Sequence, residues 1–156
     1  MSTAIPGSDA DRLYQSQRGQ RSDCPISSAL DLFGDKWSLL VMRDLLFRNK
    51  QHYRDFLASE ESIATNILAD RLAKLEQAGL IEKTDDDPRS GKQAYSATAK
   101  GTDLIPLLLQ MMLWSAEHNP LTAAPDALIT ELKTDLAKAA RAIRHKGGIQ
   151  GFLESL

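Results

Sequence analysis

The stretch RLAKLEQAGLIEKTDDDPRSGKQAYSATAKG, residues 71–101, restricts the fold more than any other part of the chain. It opens with leucines at helical spacing and stops at Gly79, where a helix end calls for a left-handed residue. Two short runs follow, Leu80 to Thr84 and Gln93 to Thr98, which read as strands with Ile81 and Tyr95 facing inward. DDDPRSGK between them is turn chemistry, because Asp and Pro start turns and Gly takes a positive φ. A helix, a hairpin and a second helix therefore follow one another closely, with Arg89 and Lys92 at the hairpin tip.

The remaining chain is mostly helical in pattern. Residues 1–23 are polar and read as a flexible arm. Pro25 suits a helix start, Ile26, Leu30 and Phe33 repeat at helical spacing, and Gly34 ends the run. Trp37, Leu40, Val41, Asp44 and Leu45 mark a second helix, and Tyr53, Phe56 and Leu57 a short third one. Ser62 is the expected N-cap of a helix from about Ala64 to Ala78, with Leu68, Leu72 and Leu75 as its buried stripe. Thr98 is expected to cap a helix that runs through Trp114 and is kinked at Pro106. A last helix, about Asp126 to His145, has the stripe Ile129, Leu132, Leu136, Ala139 and Ile143 and stops at Gly147-Gly148.

Four helices, a hairpin and two helices make a mainly α chain with a small β-hairpin, an α+β class. The order from 52 to 98 is that of a winged helix-turn-helix unit, whose second helix suits a DNA major groove while the hairpin reaches the adjacent backbone or minor groove. Bulk properties agree with one domain, since 42% of the 156 residues are hydrophobic. A net charge of −2 argues against a histone-like protein but leaves room for a local basic face. No apolar run reaches the ~18 residues that a membrane span needs, and the N-terminus lacks a signal-peptide core. The single cysteine, Cys24, excludes an internal disulfide and fits a reducing cytoplasm. No phosphate loop or catalytic spacing is present, and His52, His118 and His145 are scattered, so no enzyme, metal or cofactor is expected.

CPISSALDLFGDKWSLLVMRDLLF, then HYRDF, SIATNILADRLAKLEQAGLIEKT and SATAKG, in this order, resemble the HxlR-type regulators of the wider MarR-like group. The resemblance covers about Cys24 to His118. It implies a cytoplasmic homodimer that binds double-stranded DNA at a palindromic operator, with helix 64–78 as the recognition helix and terminal helices as the dimer interface. It also implies a division into an arm (1–23), a winged-helix domain with its dimerisation helix (24–118) and a C-terminal helix (119–156) that elaborates the interface. Two departures concern the wing: its tip is less proline-rich than the family's, and Ala97 stands where a leucine is usual.

Site residues follow from the helical wheel. Leu68, Leu72 and Leu75 point one way; Asn66, Asp70, Ala73 and Gln77 point the other, Ala69 and Lys74 lie beside them, and Thr65 and Arg71 lie on the shoulders. Small residues at 69 and 73 allow close approach to base edges, Asn66 can pair with adenine, and Thr65 can meet a phosphate or a thymine methyl. Asp70 either accepts from a cytosine amine or pairs with Lys74. Arg89 and Lys92 are the wing candidates, and Lys36, Arg43, Arg48, Lys50, His52 and Arg54 are further candidates for phosphates or plain surface charge. Cys24, at a helix start, is either a thiol sensor or a small semi-buried residue. Leu108, Met111, Met112 and Trp114 form an apolar run too wide for one core, which suits a dimer interface or a small-molecule effector pocket, and Leu132 and Leu136 are placed with it. The rival reading is a winged-helix protein-interaction module without DNA binding, which a salt-dependence measurement separates.

Overall fold

The computed structural model describes residues 22–87 and 92–156. Helix α1, Pro25–Phe33, has proline in its first turn, where a missing N–H costs nothing. Helix α2, Lys36–Phe47, is started by Asp35, whose Oδ1 accepts from Trp37 N at 2.9 Å and Ser38 N at 3.0 Å. Helix α3, Tyr53–Leu57, has His52 at its N-cap, and Asp55 Oδ2 accepts from His52 N at 3.0 Å.

Helix α4, Thr65–Gln77, has the expected stripe, with Leu68, Leu72 and Leu75 buried. Its start differs from expectation. Ala64 is the N-cap and makes no side-chain cap bond, while Ser62 holds a positive φ of 55° in the preceding turn. Its end is as expected. Gly79 adopts φ 74°, and the bonds Gly79 N to Glu76 O (2.9 Å) and Leu80 N to Leu75 O (3.0 Å) close a Schellman motif.

The motif throws the chain into strand β1, Ile81–Asp87, which pairs antiparallel with β2, Lys92–Ala97, in the register Ile81 to Ala97 and Lys83 to Tyr95. Ile81 and Tyr95 are both buried, as the alternation predicts. Tyr95 N also donates to Gln51 O at 2.8 Å and His52 bridges Ala94, so the segment before α3 is tied to the outer edge of the hairpin.

Beyond the hairpin the expected kinked helix is two helices. Thr98 caps the short α5, Ala99–Thr102, by accepting from Gly101 N at 3.1 Å. Helix α6, Ile105–His118, then starts afresh with Pro106 in its first turn. The proline therefore opens a helix rather than bending one, since the chain breaks at Asp103 and Leu104 just before it.

Helix α7, Asp126–Lys146, packs along α6 and carries a break the periodicity did not announce: Asp135 has φ −156° and ψ 90°. Asp135 Oδ1 accepts from Lys138 N at 2.9 Å and so caps the second half of α7. Gly147 (φ 72°) ends α7, and Gly148 (φ 115°) sits where a Cβ would meet Phe47 O at 2.7 Å. A terminal helix α8, Ile149–Leu153, has no counterpart among the expected elements and buries Phe152. Leu128, Leu132, Ala139, Ala140 and Ile143 of α7 join Val41, Met42, Leu68, Leu75 and Leu109 in one continuous core.

Candidate nucleic-acid interface

The outward face of α4 is the central feature. Thr65, Asn66, Ala69, Asp70, Ala73 and Lys74 are all exposed, opposite the buried leucines. Among the described residues the Asn66 side chain makes no hydrogen bond. The side chains at 69 and 73 are methyl groups, so nothing long stands between this face and a surface pressed against it.

The helix is held firmly at its start and middle. Tyr53 Oη donates to Thr65 O at 2.7 Å across the turn from α3. Arg71 Nε donates to Asp35 Oδ1 at 2.9 Å, which ties α4 to the N-cap of α2. Partial burial pushes the Asp35 carboxyl up. The hydrogen bonds from Ser38 and the Arg71 charge outweigh that and hold it below the usual carboxylate value. Arg71 is half-buried and also meets Asp70 at 2.5 Å, and Lys74 reaches Asp70 at 3.2 Å. Asp70 thus takes the pairing alternative, and the charge of Arg71 is directed inside the protein.

A second network anchors the turn before α4. Asp44, buried on α2, accepts from the Ser59 hydroxyl, from Arg43 Nη2 at 2.8 Å and from Lys50 Nζ at 3.4 Å, and Arg48 Nη1 lies 3.5 Å away. Arg43 Nη1 in turn donates to Glu61 Oε1 at 2.5 Å. This hydrogen bond is the main reason the Glu61 carboxyl falls to about 2. Arg43, Arg48 and Lys50, candidates for phosphate contact by sequence, are therefore engaged internally. No local pattern gave this network away, because Asp44 and Ser59 are separated by 15 positions.

At the wing, Lys92 is exposed and pairs in register with Asp87, while Arg89 lies outside the described residues. His52 faces Asp55, with Nδ1 3.3 Å from Oδ2, and Arg54 is exposed. Cys24 is exposed at the start of α1, which removes the semi-buried alternative.

The expected dimer residues divide. Met111 and Trp114 are exposed at 48% and 64%, and Met112 and Leu136 are half-buried. Leu108 and Leu132, at 8% and 2%, are in the chain's own core, because α7 folds back against α6 and covers that side. Met111 and Met112 line an open cleft of about 600 Å³ together with Leu30, Phe33, Leu39 and Leu40.

Comparison with known proteins places this geometry. The HxlR-like helix-turn-helix family model matches residues 32–122. The chain is 31% identical to the uncharacterized HTH-type transcriptional regulator sll1512 of Synechocystis sp., over 70% of this chain and 77% of that one. Among solved structures it resembles PA1607, described as a candidate transcription factor, with a TM-score of 0.58 and 34% identity over 68% of this chain and 70% of the other. It also resembles the redox regulator HypR in its oxidized form, with a TM-score of 0.55 and 28% identity over 62% of this chain and 98% of that one.

Proposed function

The chain belongs to the HxlR-like helix-turn-helix family of transcriptional regulators, and from that premise we propose that it binds a palindromic DNA operator as a homodimer. Helix α4 of each protomer reads a major groove with Thr65, Asn66, Ala69 and Ala73. Lys92 and Arg89 add charge for the flanking backbone, and Lys74, paired with Asp70, lies beside the reading face. The observation that carries this reading is the exposed face of α4, unobstructed at 69 and 73 and offering a free amide at Asn66. A dimer with one reading helix per half-site expects half-sites about 34–36 Å apart.

The exposed Met111 and Trp114 and the cleft beside α1 give a second protomer an apolar surface, with Ile26 and Leu30 also exposed on α1. An apolar effector that enters the same cleft would act on the spacing of the two reading helices. Cys24 supports thiol-based control as a further reading. It is exposed, it starts a helix adjoining this surface, and the related HypR is a redox regulator.

Selection from a random duplex pool by the reduced protein tests the reading. An enriched inverted repeat bound with a steep salt slope is expected. Thr65→Ala with Asn66→Ala should then abolish sequence preference while sedimentation still reports a dimer. Enrichment that survives the double variant unchanged rejects α4 as the reading element, and no enrichment at all returns the chain to the protein-interaction alternative.

A further inference from the structure

Cations are distributed unevenly over this molecule. On the winged unit they are largely neutralised: Arg43, Arg48, Lys50, Arg71, Lys74 and Lys83 each lie within an ion pair. The second half of α7 is different. Lys138, Arg141, Arg144, His145 and Lys146 are all exposed, and no acidic residue occurs between Leu136 and Leu153. Among the described residues only Arg144 has a carboxylate partner there, Asp103 at 2.6 Å; Lys138, Arg141 and Lys146 have no ion pair.

Helix electrostatics explain part of this pattern. Arg144, His145 and Lys146 sit in the last turn, where the dipole favours cations. Lys138 and Arg141 are not covered by that account. Lys138 lies in the first turn after the Asp135 cap, the end at which a cation is disfavoured. On a wheel of about 100° per residue, Lys138, Arg141 and His145 fall within about 60° of one another, opposite the stripe that enters the core. Lys138 and Arg141 carry like charge on the outer side of the helix, with the His145 imidazole in line with them, in a chain whose net charge is −2.

The line also has a place in the fold. Helix α7 runs back along α6 to the winged unit, where Arg144 meets Asp103 and Gly148 lies against the Phe47 carbonyl. Phe47 leads into the segment that pairs with the hairpin through Gln51 and His52. The C-terminal end of α7 thus adjoins the end of α2 and the start of α6, and it comes from residues beyond the family-matched span of 32–122.

We infer that this strip is a second nucleic-acid contact, in which Lys138, Arg141 and His145 hold the phosphate backbone of duplex DNA flanking the operator without reading sequence. The inference rests on the operator-binding reading above. A polyanion with regularly spaced phosphates supplies the counter-charges that the protein itself withholds, and backbone contact of this kind positions a protein on a duplex without specifying bases. Selection of an operator by this protein would depend on α4, and its affinity at low salt on α7 as well.

The test compares the full-length protein with K138Q/R141Q and with K138E/R141E on two duplexes, one limited to the selected inverted repeat and one extended on both sides. On the extended duplex the log-log salt slope should fall by about 0.9 for each phosphate that is no longer neutralised, so about two units per protomer. The short duplex should show little change, and the base preference none. Both positions are exposed, so matched thermal unfolding of the three proteins is expected. An unchanged slope on the extended duplex, with wild-type sequence preference intact, overturns the inference and leaves the operator reading standing. Failure of the wild type to select any duplex overturns both. Loss of binding to anionic phospholipid vesicles with no change on DNA would assign the strip to a membrane surface and overturn the inference as well.

Discussion

Helices α4 and α7 are built on the same plan and differ in what they show to the outside. Each sends a stripe of apolar side chains into one shared core, Leu68, Leu72 and Leu75 from the first and Leu132, Ala139 and Ile143 from the second. Helix α4 is unbroken, closed by a Schellman motif, and its outer cations are tied to Asp35 and Asp70. Helix α7 is interrupted at Asp135 and, Arg144 aside, leaves the cations of its second half without carboxylate partners among the described residues. Under the proposed function, a helix that meets base edges gains from a fixed axis and a quiet, small-residue surface. Under the further inference, a helix that meets only backbone tolerates a break, since its contribution is charge. The difference shows that amphipathic spacing states which face is buried and says little about what the other face does.

The largest expected effect tests whether α7 belongs to the same cooperative unit as α4. Leu68→Ala and Leu132→Ala should each destabilise the protein by about 2–5 kcal/mol in chemical denaturation, because both side chains are fully enclosed. A Leu132→Ala cost below ~1 kcal/mol would make α7 an appendage and break the comparison. Next come two glycines just beyond the ends of the two helices. Gly79→Ala should cost about 1–2 kcal/mol from its left-handed backbone alone, since nothing lies near the added methyl. Gly148→Ala should cost more, because its φ of 115° is joined by a clash with the Phe47 carbonyl. Equal melting temperatures for the two variants would show that the α7–α2 approach is loose.

Smaller effects concern the clamps. Asp35→Ala removes the α2 cap and the Arg71 partner together and should cost about 1 kcal/mol. It also frees Arg71, so non-specific duplex binding should rise while the discrimination between operator and random DNA falls. Unaltered discrimination would mean that the clamp does not set the axis of α4. The smallest is a pH effect at Glu61. Its carboxyl lies at about 2 in the folded chain against 4.5 ordinarily. The stability it contributes is therefore present above about 4.5 and is lost as pH falls through about 2. Glu61→Gln should flatten that part of the acid unfolding curve, and an unchanged curve would show the Arg43 pair to be too solvated to matter.

Much of this architecture is readable in the sequence because it is local. The leucine spacing of α4, the glycine at 79, the turn residues before Lys92 and the alternation at Ile81 and Tyr95 each involve neighbours within a few positions. The departures have one cause in common. Ser62 has the chemistry of a cap, yet its backbone is left-handed and Ala64 takes the position. Pro106 has the chemistry of a kink, although a break two residues earlier has already ended α5. Leu108 and Leu132 read as available for a partner, because nothing local shows that α7 returns along α6 and buries both. The Asp35–Arg71 and Asp44–Ser59 bonds join residues separated by 36 and 15 positions, and a pattern confined to one helix contains no trace of either. The same limit explains why a helical wheel puts Arg71 on the shoulder of the reading face, when its partner on α2 draws that side chain inward.

Asp35 carries a consequence of its own. It lies in the wall of the cleft beside α1 and at the same time grips Arg71 of α4. The cleft and α4 therefore share one residue. If a cleft occupant prefers one setting of that residue and α4 reads DNA as proposed, reciprocity follows: the occupant alters DNA affinity by the factor by which DNA alters its own. The molecule needs no long chain of intermediates for such a conversation, because a single residue already stands in both rooms.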